Sequence, residues 1–134
     1  MILSERALIL KKTELFSEAP LDKLAPLAEA LTERTLQDKE NVFPDSGRYE
    51  KLVVLARGTL CQDEKGKSFS LGEGDCLGAL SLFDETFPRP KTKADGEALV
   101  FVIDGSMARE FLIEEFLVAE NFIRSLVRKI RTVE

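Results

Sequence analysis

The spacing of apolar residues changes twice along the chain. Residues 4–15 begin with Ser4, a suitable helix N-cap, and residues 21–32 place Leu24, Leu27 and Leu31 at intervals of three and four. This spacing puts apolar side chains on one face of a helix. We therefore predict helices within residues 4–32.

Between residues 34 and 104 the apolar residues occur in short runs separated by turns. The predicted strands are residues 34–37, 41–43, 51–57, 59–62, 68–71 and 98–103. Residues 63–67, which contain Gly66, have the composition of a hairpin tip. Short strands at close spacing with glycine-rich turns are typical of an antiparallel roll or barrel.

After Asp104 the helical spacing returns, with predicted helices at residues 105–115 and 116–133. The apolar residues of the last helix are spaced by four, three, four and three, which is the spacing of a coiled-coil seam. These residues are Ala119, Ile123, Leu126, Ile130 and Val133. Two interpretations have equal weight: a dimer or partner helix, and a helix packed on its own domain.

The length of 134 residues fits one domain, with helices at 4–32, a roll at 34–104 and C-terminal helices at 105–133. The net charge of −5 disfavours contact with nucleic acid, which requires clustered cations. The basic residues 124, 128, 129 and 131 instead complement the C-terminal end of a helix.

Apolar runs are too short to span a membrane. Two cysteines provide no disulfide framework, so we expect a cytoplasmic protein.

The composition also excludes most catalytic and metal sites. The chain contains no histidine, which removes imidazole metal ligands and the usual base of nucleophilic catalysis. Cys61 and Cys76 are too few for an iron–sulfur cluster and fit small core residues better than redox sensors. We expect no catalytic residue, no metal and no enzyme activity.

Four segments, in order, resemble the cyclic nucleotide-binding domain family. They are LKKTELF at 10–16, KENVF at 39–43 followed by Gly47, LVVLARGTL at 52–60, and LGEGDCLG at 71–78. The resemblance covers residues 8–130. It implies a mainly β fold with flanking helices: a double-stranded β-roll (jelly roll) with N-terminal helices and a C-terminal helix pair.

The resemblance also identifies residues 78–93, GALSLFDETFPRPKTK, as a phosphate-binding cassette. In the family a glycine and a short helix approach the cyclic phosphate, a glutamate binds the ribose hydroxyl, and an arginine neutralises the phosphate. Gly78 and Arg89 match, eleven residues apart as in bacterial catabolite activators. Ala79 replaces the glutamate, and Pro90, which has no N–H, replaces a small residue. The candidate ligand-binding residues are Gly78, Ala79, Leu80, Ser81, Arg89, Lys91 and Thr92.

Each candidate has a structural alternative. Arg89 either binds an anion or pairs with Asp84 or Glu85. Lys91 adds positive charge to the cassette or belongs to a solvated strand face. Ser81 and Thr92 offer hydroxyl contacts or are surface residues. Losing a hydrogen bond to a buried ligand hydroxyl costs about 1–3 kcal/mol, and with the lost phosphate donor affinity falls on the order of a hundredfold or more.

These features predict a regulatory module that binds cyclic AMP or cyclic GMP weakly, or another small anion, and signals through its C-terminal helix to a second protomer or a partner. One alternative is a ligand-free structural or dimerisation domain. Another is the effector domain of a transcription regulator without its DNA-binding part, since the sequence ends at Glu134 after the long helix.

Overall fold

The computed structural model describes residues 1–43, 51–84 and 91–133, with side chains for all of these except Glu64, Leu80 and residues 129–133. Within these residues the chain forms two helices, an antiparallel sheet and two further helices. The helices are α1 (Leu3–Lys12), α2 (Leu21–Ala30), α3 (Gly105–Glu114) and α4 (Phe116–Val133). The strands are β1 (Thr32–Leu36), β2 (Lys51–Glu64), β3 (Lys67–Leu71), β4 (Cys76–Leu77) and β5 (Lys91–Asp104).

The sheet is built around the two long strands β2 and β5. Its order is β1-β5-β2-β3, and β4 also pairs with β2 through Val53 and Val54. All pairs are antiparallel. The predicted mainly β fold with flanking helices is confirmed. Among the described residues, no helix combines the length and apolar composition that a membrane crossing requires.

Several predicted boundaries differ from those observed. β2 is one continuous strand to Glu64, where two strands were expected, and the hairpin turn at Lys65 and Gly66 is confirmed. Residues 41–43 contribute a single bridge from Asn41 to β5 instead of a strand. The first helix ends at Lys12, because Thr13 turns the chain: its hydroxyl donates to the Leu10 carbonyl and accepts from the Phe16 N–H.

Two apolar clusters lie on opposite faces of β2 and β5. We call the first the helix-side cluster, because it joins one sheet face to the helices. Its members include Leu52, Val54, Phe101, Ile103, Leu10, Leu24, Leu27, Leu82, Leu112, Val118 and Phe122. The second is the roll-interior cluster, formed by Leu36, Val42, Val53, Leu55, Leu60, Ala94, Ala98 and Val100. Every residue of the roll-interior cluster is at most 3% exposed.

Two register shifts between Leu55 and Thr59 of β2 accompany a change in which residues of this strand face inward. Val53 and Leu55 belong to the roll-interior cluster, and so does Leu60, although strict alternation would put Leu60 on the other face. The register shows one extra residue in β2 between Leu55 and Arg57, which produces the change. Gly58 has a φ of 96°, and a Cβ there would lie 2.8 Å from a β5 carbonyl oxygen.

Ion pairs stabilise the β1 edge of the sheet. Arg34 donates to the Val42 carbonyl (2.8 Å) and to Glu40 (2.9 Å), closing the loop after β1. Two hydrogen bonds lower the pKa of Glu40. The larger effect comes from the Gln37 N–H and the smaller from Arg34. Arg6 of α1 donates to Glu33 of β1 at 2.9 Å, and this contact lowers the pKa of Glu33.

Candidate functional site

Gly78 begins the cassette at the end of β4 in a conformation that requires glycine. Its φ is 87°, in the left-handed region. A Cβ at this position would lie 2.5 Å from the carbonyl oxygen of Lys51, which is closer than such atoms approach. The glycine therefore lets the chain turn tightly against the start of β2.

A single 3-10 turn, Leu80–Leu82, follows Gly78. The Ser81 hydroxyl donates to the Gly78 carbonyl at 2.8 Å and so closes this turn. Leu82 is 4% exposed and belongs to the helix-side cluster. Ala79 is half-buried and packs against the same cluster. The turn is thus anchored on its apolar side, and its described side chains carry no carboxylate for a ribose hydroxyl.

The last cassette residues lie on opposite faces of β5. Thr92 is 3% exposed, and strand alternation puts it on the face of Ala94, toward the roll interior. Lys91 and Lys93 are exposed on the other face, where Lys91 is in register with Asp63. The structure therefore places Thr92, and not Lys91, on the side where the roll interior lies.

Arg89 and Pro90 lie outside the described residues. The roles predicted for Arg89, as an anion contact or as a partner of Asp84 or Glu85, therefore stay predictions. In the described part of the chain, no three acidic or cysteine side chains are placed to hold a metal ion.

The described part of the cassette contacts both C-terminal helices. Arg109 of α3 donates to the Leu82 carbonyl at 3.2 Å and to the Ser106 hydroxyl at 3.3 Å. The ring of Phe83 lies 5.8 Å from the ring of Phe122 in α4, centroid to centroid, within the range of aromatic pairs. The sequence does not reveal this role of Arg109, because a single arginine in an amphipathic helix carries no distinguishing signal.

The predicted seam of α4 is divided between two environments. Leu126 packs against the helix-side cluster and Ala119 is half-buried, whereas Ile123 is 59% exposed. The side chains of Ile130 and Val133 lie outside the described set. The helix does pack on its own domain, through Val118, Asn121, Phe122 and Ser125, which are each at most 8% exposed. This leaves part of the apolar surface of α4 uncovered.

Asn121 attaches α4 to the segment that follows α1. Its side-chain amide donates to the carbonyls of Glu14 and Leu15, and lies 3.4 Å from the Ser17 hydroxyl. Arg128 approaches the Glu14 carboxylate at 4.0 Å. The sequence does not reveal this role of Asn121, because an asparagine in an amphipathic helix is usually solvated.

The two cysteines are not a redox pair. Neither cysteine is in a disulfide, and both are half-buried. Cys76 pairs with Val54 of β2, and Val54 is seven residues from Cys61 along β2. Seven strand residues span roughly 20 Å, several times the separation that a disulfide allows.

No protein-family model and no curated protein matches the sequence. Solved structures do match. A putative cyclic nucleotide-binding protein from Geobacter metallireducens has a TM-score of 0.75 and 18% identity over 98% of both chains. The regulatory domain of Toxoplasma gondii PKA, solved with cAMP, has a TM-score of 0.75 and 14% identity, covering 98% of this chain and 50% of that one.

The Thermus thermophilus catabolite activator protein has a TM-score of 0.76 and 19% identity, covering 90% of this chain and 60% of that one. At such low identities the comparison establishes the fold. The antiparallel sheet, the N-terminal helices and the C-terminal helix pair all agree with these structures. The resemblance that the sequence predicts is confirmed, and the chain has the fold of the cyclic nucleotide-binding domains.

Proposed function

We propose that residues 1–134 act as one cytoplasmic regulatory domain that binds a cyclic nucleotide weakly, or another small anion, and signals through α4 to a second copy or a partner. The observation that carries the proposal is the direct contact of the cassette with both C-terminal helices, Leu82 with Arg109 and Phe83 with Phe122. The role is one of binding and transmission, with no catalytic step.

The contacts provide a physical route for transmission. A ligand shifts a conformational equilibrium only through different contacts in the two states. A ligand that displaces the turn at Leu82 changes the hydrogen bond to Arg109 and the ring contact to Phe122 together. Occupancy of the cassette would therefore alter how α4 packs on the domain.

The choice of ligand rests on chemistry at three positions. The Toxoplasma domain was solved with cAMP. In this chain Arg89 carries a guanidinium suited to a phosphate, and Thr92 is a buried residue with a hydroxyl group. Ala79 has no acceptor for a ribose hydroxyl, so we expect cyclic nucleotides to bind weakly and without preference for the 2′-hydroxyl.

Calorimetry with cyclic AMP, cyclic GMP and 2′-deoxy cyclic AMP tests this proposal. The wild-type chain should bind the first and third ligands equally, and Arg89→Ala should remove binding. Ala79→Glu should tighten cyclic AMP roughly tenfold, through one restored hydrogen bond, and leave the deoxy compound unchanged. Ala79→Leu adds similar volume without an acceptor and serves as the matched control. Absence of heat at millimolar ligand, in both wild type and Ala79→Glu, would contradict nucleotide sensing.

A ligand-free structural domain is the second candidate. Three observations favour it: the apolar environment of Ala79, the use of the Ser81 hydroxyl within its own turn, and the close burial of the roll-interior cluster. A role as the effector part of a transcription regulator is compatible with either candidate, since this chain spans 60% of the Thermus protein. Sedimentation measures the dimer component that these roles share.

A further inference from the structure

The junction of α3 and α4 exposes three large apolar side chains that are close together in the chain. Ile113 and Phe116 are each 75% exposed, and Leu117 is 58% exposed. Ile113 lies in the last turn of α3, and the other two begin α4. Exposed apolar side chains that lie close together mark interaction surfaces, whereas scattered single ones are ordinary. The junction is therefore a candidate interaction surface.

Three carboxylates accompany these apolar side chains. Glu110 and Glu114 are exposed residues of α3, within about 100° of Ile113 around the helix axis. Glu115 lies between the two helices. In the part of the chain that the structure describes, none of the three carboxylates is in an ion pair. We call this surface the junction patch: Glu110, Ile113, Glu114, Glu115, Phe116 and Leu117.

The cations nearest to the junction patch in the sequence have other partners. Arg109 donates to the Leu82 carbonyl and to the Ser106 hydroxyl, so it is directed toward the cassette. Arg124 pairs with Glu120 of its own helix at 2.6 Å. The junction patch therefore has a negative charge that the described part of its own chain leaves without a paired cation.

The position of Glu114 adds to this excess of negative charge. It is the last residue of α3, where the backbone carbonyls carry a partial negative charge. Lysine or arginine usually stabilises such a helix end, and the last turn of α3 contains neither. A cation from another molecule would therefore be attracted both by the carboxylates and by the end of the helix.

We infer that the junction patch binds a basic amphipathic segment of a partner protein, whose apolar side chains cover Ile113, Phe116 and Leu117 and whose lysines or arginines lie beside the glutamates. The inference rests on the proposed function for a partner at the C-terminal helices and adds that partner's chemistry. Charge complementarity selects this occupant. A second copy that used the same patch would set acidic surfaces against each other.

A designed peptide tests the chemistry of the occupant. The probe is a fluorescein-labelled peptide of about 14 residues, or about four helical turns, with leucine at intervals of three and four and lysine elsewhere. A second peptide carries glutamate in place of every lysine. In fluorescence anisotropy, the wild-type chain should bind the lysine peptide and not the glutamate peptide, and added salt should weaken the binding.

One pair of variants tests the apolar contact. Phe116→Ser should weaken binding of the lysine peptide about tenfold, because a large buried side chain is lost from the contact. Phe69→Ser is the matched control, since Phe69 is also exposed but lies on β3. It should change the affinity by less than about twofold. Phe116 is exposed, so its substitution should not unfold the domain, and circular dichroism checks this.

A second pair of variants tests the charge. Glu110→Gln combined with Glu114→Gln should weaken binding about fivefold, through two lost ion pairs with the peptide. Asp95→Asn combined with Glu97→Gln is the matched control, because it removes the same net charge from exposed positions of β5. It should change the affinity by less than about twofold.

Each outcome decides the inference. Weaker binding in both test variants, with both controls unchanged, supports it. It is overturned by equal losses in the controls, by a loss in only one test variant, by binding of the glutamate peptide, or by no binding. A dimer that Phe116→Ser dissociates places a second copy at the patch and also overturns it. Calorimetry with cyclic nucleotides is a separate measurement, so ligand binding can fail while the junction patch is confirmed, or the reverse.

Discussion

The inner and outer faces of α4 differ in a way that reverses the usual pattern. The inner face includes two polar residues, Asn121 and Ser125, and both are buried. The outer face presents Phe116 and Ile123 largely to solvent. A helix rotated to bury its most apolar arc would hide Ile123 and expose Asn121. The rotation observed is therefore selected by specific contacts and not by apolar area alone.

Asn121 explains this choice. Its amide donates hydrogen bonds to the carbonyls of Glu14 and Leu15, which follow α1. If α4 rotated, these carbonyls would lose this donor. A buried polar group without a partner costs about 1–3 kcal/mol, so the hydrogen bonds resist rotation of the helix. The comparison shows how one amide keeps an apolar face of the helix exposed.

The largest expected effect comes from the apolar part of the inner face. Phe122→Ala should lower the free energy of unfolding by about 3–5 kcal/mol, because it leaves a cavity beside Phe83 and the helix-side cluster. Ile123→Ala, the neighbouring position on the outer face, should change it by less than about 0.5 kcal/mol in the monomer. Urea unfolding measures both. Equal losses would show that the two faces are not distinct.

An intermediate effect is expected at the polar part of the inner face. Asn121→Ala should cost about 1–3 kcal/mol, since two carbonyls lose their donor. Arg128→Ala is the matched control, because it also removes a contact from α4 to Glu14, but an exposed one. It should cost at most about 0.5 kcal/mol in the same unfolding experiment. A neutral Asn121→Ala would mean that the amide does not fix the helix.

Polar substitutions separate association from folding. Ile123→Asn should leave the stability of the monomer within about 0.5 kcal/mol of wild type and shift the sedimentation coefficient toward the monomer. Leu126→Asn should instead destabilise the domain, because Leu126 packs on the helix-side cluster. If Leu126→Asn only dissociates the dimer, then the seam lies where sequence analysis placed it.

The smallest expected effect is a difference in pH dependence between the neutral hydrogen bonds of Asn121 and the ion pair of Arg6 with Glu33. Asn121 does not titrate, whereas Glu33, which holds α1 to β1 through Arg6, has a lowered pKa. Its stabilising contribution is present above the ordinary glutamate pKa and is lost as the pH falls through the lower native value. The melting temperature of Glu33→Gln should therefore fall less than that of wild type over this acidic interval. If the melting temperatures of wild type and Glu33→Gln fell by the same amount, the ion pair would not contribute the stability assigned to it.

Elements whose structure depends on local chemistry can be predicted from the sequence alone. The bounds of α4 and the turn at Lys65 and Gly66 follow from apolar spacing and turn residues alone, and both agree with the structure. The order of two helices, a set of strands and two further helices also agrees, although β4 was not predicted and the strand expected at 98–103 begins at Lys91. The fold was therefore accessible from the sequence.

The features that the sequence does not predict depend on contacts between segments that are distant along the chain. The change of face before Leu60 comes from an extra residue in a strand pair, which no spacing rule reveals. Asn121 and Arg109 act through backbone carbonyls more than 25 residues away in the chain. For α4, the apolar arc is wider than one contact surface, so spacing could not say which part packs on the domain.

The steric constraint at Gly78 limits which substitutions the fold tolerates at the start of the cassette. Because its neighbour across the turn is the backbone of Lys51, every larger residue there disturbs the sheet, whatever the cassette binds. A deep mutational scan for folding alone should therefore tolerate many residues at position 79 and almost none at 78. The glycine is therefore a requirement of the fold, and its presence alone does not identify what the cassette binds.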